Sequence, residues 1–140
     1  MSTTLLTNID GIYKETSKMI YRTLRQCQSD YEKELSVIAQ IFEINNLEAL
    51  FLTVLIINNT DYKNCQLEDI ANQLNISKFE IFENVQSLFS LESKGLININ
   101  DPEEISDDNK RFSNRMRYPI DVLNKSFVIT KTVENKLFNS

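Results

Sequence analysis

Leu67-Glu68-Asp69-Ile70-Ala71-Asn72-Gln73-Leu74-Asn75-Ile76-Ser77 reads as a short helix, a three-residue turn and the cap of a second, longer helix. Leu67, Ile70, Ala71 and Leu74 recur at helical spacing and make one inward face. Glu68 and Asp69 stand in the first turn, where the helix dipole favours acids. Ser77-Lys78-Phe79-Glu80 has the form of a capping box, in which hydroxyl and carboxylate satisfy orphan amides reciprocally. The helix it opens buries Ile81, Phe82, Val85, Leu88 and Phe89, with Leu91 at the margin. Lys94-Gly95-Leu96-Ile97 is a stop followed by an apolar strand, because glycine lacks the Cβ that clashes in a left-handed cap. Leu96 to Asn100 is the expected first strand. Ser126-Phe127-Val128-Ile129 is its expected partner, with one face buried.

Upstream, Asn45-Asn46-Leu47-Glu48 offers a cap, followed by Ala49, Leu50, Leu52, Val54, Leu55, Ile56 and Ile57. A run apolar nearly all round is expected of the central, buried helix of a small domain. Before it, Ile9, Ile12, Tyr13, Ile20, Leu24, Cys27, Tyr31, Leu35, Ile38 and Phe42 make a helical stripe. Ser29-Asp30-Tyr31-Glu32 also resembles a capping box, so one long helix and two helices broken near Ser29 both fit. The stripe suits packing against the same domain; its near-heptad steps after Ile20 also suit a dimer seam. Between the two strands lies a polar insert broken by Pro102 and Pro119. It is acidic first (Asp101, Glu103, Glu104, Asp107, Asp108) and then basic (Lys110, Arg111, Arg115, Arg117). Its low hydrophobicity suggests a mobile tip; it reads as a solvated loop whose halves partly neutralise each other, or as a basic strand edge that touches phosphate or an acidic partner surface. Thr130 can cap a last short helix carrying Val133, Leu137 and Phe138.

Helix, tight turn, helix, glycine and hairpin are the outline of a winged helix-turn-helix. The expected fold class is mainly α with a small β-hairpin. Residues 1–43 form an N-terminal helical segment, and residues 44–140 form the winged domain with its charged insert at about 101–118. Such folds usually bind DNA or another protein and seldom do chemistry. The composition agrees: there is no His and no C-x-x-C, and with two glycines, Gly11 and Gly95, no phosphate loop or dinucleotide fingerprint can be built. No catalytic, cofactor-binding or metal site is therefore expected in the chain. Cys27 and Cys65, far apart in different segments, read as free intracellular thiols in preference to a structural disulfide. No apolar run approaches the ~20 residues of a membrane span, and no signal peptide is evident, so the expectation is cytoplasmic.

Charge bears on the partner. The net charge is −5, and residues 47–94 carry three bases against seven acids, so the helix-turn-helix is the acidic part of the chain. A groove-reading helix leads with its N-terminal residues, and affinity for duplex DNA comes largely from Lys and Arg on phosphates. The outward positions here are Lys78, Glu80, Glu83, Asn84, Ser87 and Ser90, of which Asn84 could read adenine. The residues expected to touch a partner are Lys78, Asn84 and Ser87 on the helix, with Lys110, Arg111, Arg115 and Arg117 on the wing. DNA is disfavoured; a protein-docking or regulatory module fits the charges better.

Ile38-Ala39-Gln40-Ile41-Phe42-Glu43-Ile44-Asn45-Asn46-Leu47-Glu48-Ala49-Leu50-Phe51-Leu52 is similar to a segment ahead of the motor in bacterial AAA-family ATPases. Arg117-Tyr118-Pro119-Ile120-Asp121-Val122-Leu123, then Phe127-Val128-Ile129-Thr130 and Val133 with Leu137, resembles the second wing strand and the helix preceding their ATPase core. The resemblance covers most of residues 30–140. It implies a non-catalytic N-terminal winged-helix adaptor cut from a longer ATPase, partnered by a protein client or by its own motor. ATP and magnesium would belong only to the motor outside this chain. The long charged insert departs from the family pattern, and none of the family's catalytic residues has a matching position. The alternative is a DNA-binding winged-helix regulator resembling the multiple-antibiotic-resistance type, which shares the Lys-Gly-Leu-Ile run. A homo-oligomer formed through the N-terminal stripe completes the expected partners.

Overall fold

The structure is a computed structural model that describes residues 3–16, 23–61, 65–100 and 125–139. Eight helices and two strands are described: α1 (Thr3–Thr16), α2 (Leu24–Asp30), α3 (Glu32–Phe42), α4 (Asn46–Asp61), α5 (Leu67–Leu74), α6 (Lys78–Glu83), α7 (Val85–Ser93), β1 (Ile97–Asn100), β2 (Ser126–Ile129) and α8 (Lys131–Asn139). The chain is mostly helical with one small antiparallel sheet.

Helix α4 is the centre. Every residue from Ala49 to Ile57 is buried, and α1, α2, α3, α5, α7 and β2 all pack on it. An apolar sequence with no polar face becomes a helix surrounded by protein, since no orientation would leave a wet side. Its start is a capping box. The Asn45 side-chain oxygen accepts from Glu48 N–H at 2.8 Å, and the Glu48 carboxylate accepts from Asn45 N–H at 3.0 Å. Helices α3 and α4 meet at 89°. Among the described residues, no single helix is long and apolar enough to cross a membrane.

The N-terminal stripe is spent inside the chain. Ile9, Ile12, Leu24, Cys27, Tyr31, Leu35, Ile38 and Phe42 are all buried in the core that also holds α4, the sheet and α8. Tyr13 points away and is 47 % exposed, and Ile20 lies outside the described residues. Near Ser29 the helix breaks, but at Tyr31, and Ser29 stays within α2. The working box is instead Thr23 with Gln26, which closes the start of α2.

Three helices end by one device. Glu43 (φ 60), Asn75 (φ 59) and Gly95 (φ 77) are left-handed. The residue after each returns its N–H to a carbonyl five residues back: Ile44 to Ala39, Ile76 to Ala71 and Leu96 to Leu91. This is the Schellman arrangement, with the apolar follower tucked against the helix it leaves.

The sheet pairs Ile97 with Ile129, Asn98 with Val128, Ile99 with Phe127 and Asn100 with Ser126. Ile97 and Ile99 face the core while Asn98 and Asn100 are exposed, as the alternation requires. The outer edge of β2 is closed. Phe127 N–H donates to the Cys65 carbonyl at 2.8 Å, and the Asn59 side chain bonds both Ile129 N–H (3.0 Å) and the Phe127 carbonyl (3.4 Å). A side-chain amide thus stands where a third strand would, leaving that edge unavailable for aggregation. Thr130 begins α8, with its carbonyl accepting from Glu134 N–H. Its hydroxyl donates to the Gly95 carbonyl at 2.8 Å and so ties α8 to the end of α7.

Candidate functional site

The helix expected as a single rod from Ser77 to Gly95 is two helices, α6 and α7, joined at Asn84 (φ −112°, ψ 25°). The Asn84 amide donates to the Glu80 carbonyl at 2.9 Å, so this side chain is occupied by its own helix. The Ser77–Glu80 box is half formed. Ser77 Oγ accepts from Phe79 N–H at 3.1 Å, but the Glu80 carboxylate reaches across the molecule to Leu24 N–H at 2.9 Å. The acid therefore fastens the start of α2 to α6 instead of closing its own helix. Val85 and Leu88 are buried as expected, whereas Phe82 and Phe89 are half-buried.

Of the residues expected to touch a partner, Lys78 is exposed in the first turn of α6, 3.9 Å from Glu68 on α5 and 6.0 Å from the Phe79 ring centre. Ser87 is half-buried in the first turn of α7. Asn84 between them faces its own backbone, so the three do not form one polar reading face. Lys110, Arg111, Arg115 and Arg117, with the whole 101–118 insert, lie outside the described residues.

Phe79 was not among the expected contacts, yet it is 63 % exposed beside Lys78. The periodicity of the inward face (Ile81, Val85, Leu88) skips position 79, and that was the signal available in the sequence. Glu83, one turn further along α6, is exposed and has no ion-pair partner among the described residues. The end of the helix pair thus presents an aromatic ring with Glu68, Glu83 and one lysine around it. A polyanion would meet two acids there.

The other charged side chains of the region are occupied. Glu48 is buried, 2 % exposed, and takes Lys94 Nζ on both oxygens at 3.0 and 3.2 Å. Burial alone would raise its carboxyl. The Ser90 hydroxyl, the Asn45 N–H and the Lys94 ammonium outweigh that and hold it below its ordinary value. Asp69 accepts from Gln66 N–H at 2.8 Å and closes the start of α5. Glu92 accepts from Ile99 N–H at 3.3 Å. Both cysteines are free and buried, and burial, then the Asp69 charge, pushes the Cys65 thiol up to about 12. No group of three or more metal-ligating side chains occurs among the described residues.

A second surface feature is an open apolar groove of roughly 480 Å³ between the end of α4, β2 and α8. Ile56, Ile129, Leu137 and Phe138 line it, and Phe138 is 72 % exposed. No protein-family model, curated protein or solved structure matches the chain.

Proposed function

We propose that this chain is a non-catalytic winged-helix docking module, working as the N-terminal adaptor or regulatory domain of an AAA-type ATPase. The order α4, α5, α6–α7, β1, β2 fits the helix-turn-helix and its wing. The bond from Phe127 N–H to the Cys65 carbonyl, between α4 and α5, supports this reading, since such folds carry a short strand there. On this reading the client is a protein, the setting is the cytoplasm, and ATP and magnesium belong to a motor domain outside this chain.

The observation that carries the choice of protein over DNA is the leading end of α6. It offers Phe79, Glu83 and the Glu68-paired Lys78, and its one adenine-reading side chain, Asn84, is bonded to Glu80. Major-groove readers lead with Arg, Lys, Asn or Gln, and phosphate contacts supply most of their affinity.

Titration of the purified chain with duplex DNA across a salt series tests this choice. Binding weaker than about micromolar at physiological salt is expected, in the range of non-specific association. Submicromolar binding that is lost when Arg115 and Arg117 are neutralised would overturn it in favour of a transcription regulator. The ATPase connection is tested by the reading frame after residue 140, where a phosphate-binding loop is expected soon downstream. The purified chain is expected neither to bind nor to hydrolyse ATP.

A further inference from the structure

We propose that the exposed end of α5 and α6 docks a basic segment of a partner protein, with Phe79 as the anchor that enters an apolar pocket of that partner. The inference rests on the protein-docking reading above and adds the partner's chemistry.

Three observations carry it. First, Phe79 is 63 % exposed on a backbone held from several sides. Ser77 caps the helix, Glu80 is bonded to α2, and Ile76 and Ile81 on either side are buried. A rigid aromatic costs little ordering entropy on binding, which is why such residues dominate interface energetics. Second, its rim is acidic. Glu68 is 67 % exposed with Lys78 at 3.9 Å, so the one lysine offsets one acid and Glu83 remains. Third, residues 65–100 carry five acids and two bases, and the second base, Lys94, is committed to Glu48. With a net charge of −3, this stretch favours a cationic partner over a polyanion. A lysine or arginine beside an apolar pocket meets both features. The cation faces Glu83, and an arginine can also lie over the Phe79 ring.

The test is selection of a random phage-displayed peptide library on the full chain, followed by calorimetry of the chosen peptides as free synthetic ligands. The same peptides are titrated against Phe79→Ser and Glu83→Lys variants. Both sites are on the surface, so unchanged far-UV circular dichroism and urea midpoints are expected. Selected peptides should pair Lys or Arg with large apolar residues, and their affinity should fall with added salt. It should drop at least ~tenfold on Phe79→Ser and several-fold on Glu83→Lys. Peptides without basic residues, or no selected peptide at all, would overturn the proposal. Binding indifferent to both substitutions would also overturn this surface while leaving protein docking itself intact. Submicromolar binding of duplex DNA in place of peptides would remove the protein-docking reading as well.

Discussion

Replacing Glu48 with alanine should cost the fold about 2–3 kcal/mol, a large share of what holds a small domain together. The figure is built from its contacts. The bond from Asn45 N–H closes the start of α4, and losing a helix cap costs about 1 kcal/mol. The Ser90 hydroxyl also loses its favourable interaction with the carboxylate, worth about 0.5 kcal/mol. Lys94 is 43 % exposed and rehydrates once freed, so its pairing adds no more than about 1 kcal/mol. Glu48→Gln keeps a similar shape and most of the bonding but not the charge, and should cost about 1 kcal/mol.

The pH dependence follows from the direction of the shift. The folded carboxyl titrates below its ordinary 4.5, so its stabilisation is present in full above that value. It is lost as the pH falls through the lower, folded value. Urea unfolding followed by circular dichroism, at about pH 7 and about pH 3, should show the gap between wild type and Glu48→Gln closing in acid. A gap that stays constant, or an alanine variant within about 0.5 kcal/mol of wild type, would refute the reasoning.

Four further expectations concern the frame. Gly95→Ala should destabilise by about 1 kcal/mol in chemical denaturation; a new Cβ there meets nothing within 4 Å, so the cost is backbone strain at φ +77 alone. Gly11→Ala, inside α1 with a new Cβ in ordinary contact 3.7 Å from Glu34, should instead raise the melting temperature through a gain of about 0.5–1 kcal/mol. Asn59→Ala removes both bonds that close the edge of β2; it should cost about 1–3 kcal/mol and increase aggregation measured by light scattering. Cys65 should resist iodoacetamide at about pH 8 until urea unfolds the chain. Because its folded value is raised from 9.0 to about 12, it adds stability that is full below the unfolded value and lost as pH rises through this interval.

Local chemistry was the legible part of the sequence. Asn45 and Glu48 cap each other because both partners lie within one turn, so three residues of spacing suffice to find the pair. Gly95 was equally plain, since its left-handed backbone is a property of its own residue type. Glu43, left-handed as well, was missed because a glutamate gives no such warning. Ser77–Glu80 has the same spacing as a true box, yet Glu80 serves Leu24, 56 residues away. At Asn84 the helix turns because the amide competes for the Glu80 carbonyl, and periodicity carries no trace of that competition. Lys78 lies exposed, as its charge leads one to expect, while the exposure of Phe79 went unread, although the inward face of Ile81, Val85 and Leu88 skips position 79.

By itself, then, the sequence determined that the chain is mostly helical with one small hairpin, that residues 49–57 form a buried central helix, and that its middle third is acidic. Those are consequences of residue type and spacing over a few positions. Only the tertiary structure decided that the N-terminal stripe is spent inside the chain, that Asn59 replaces a strand, and that Phe79 faces water. Each of these depends on which surface lies opposite. Burial and long-range hydrogen bonding are set by the assembled neighbours, not by the residue that takes part in them.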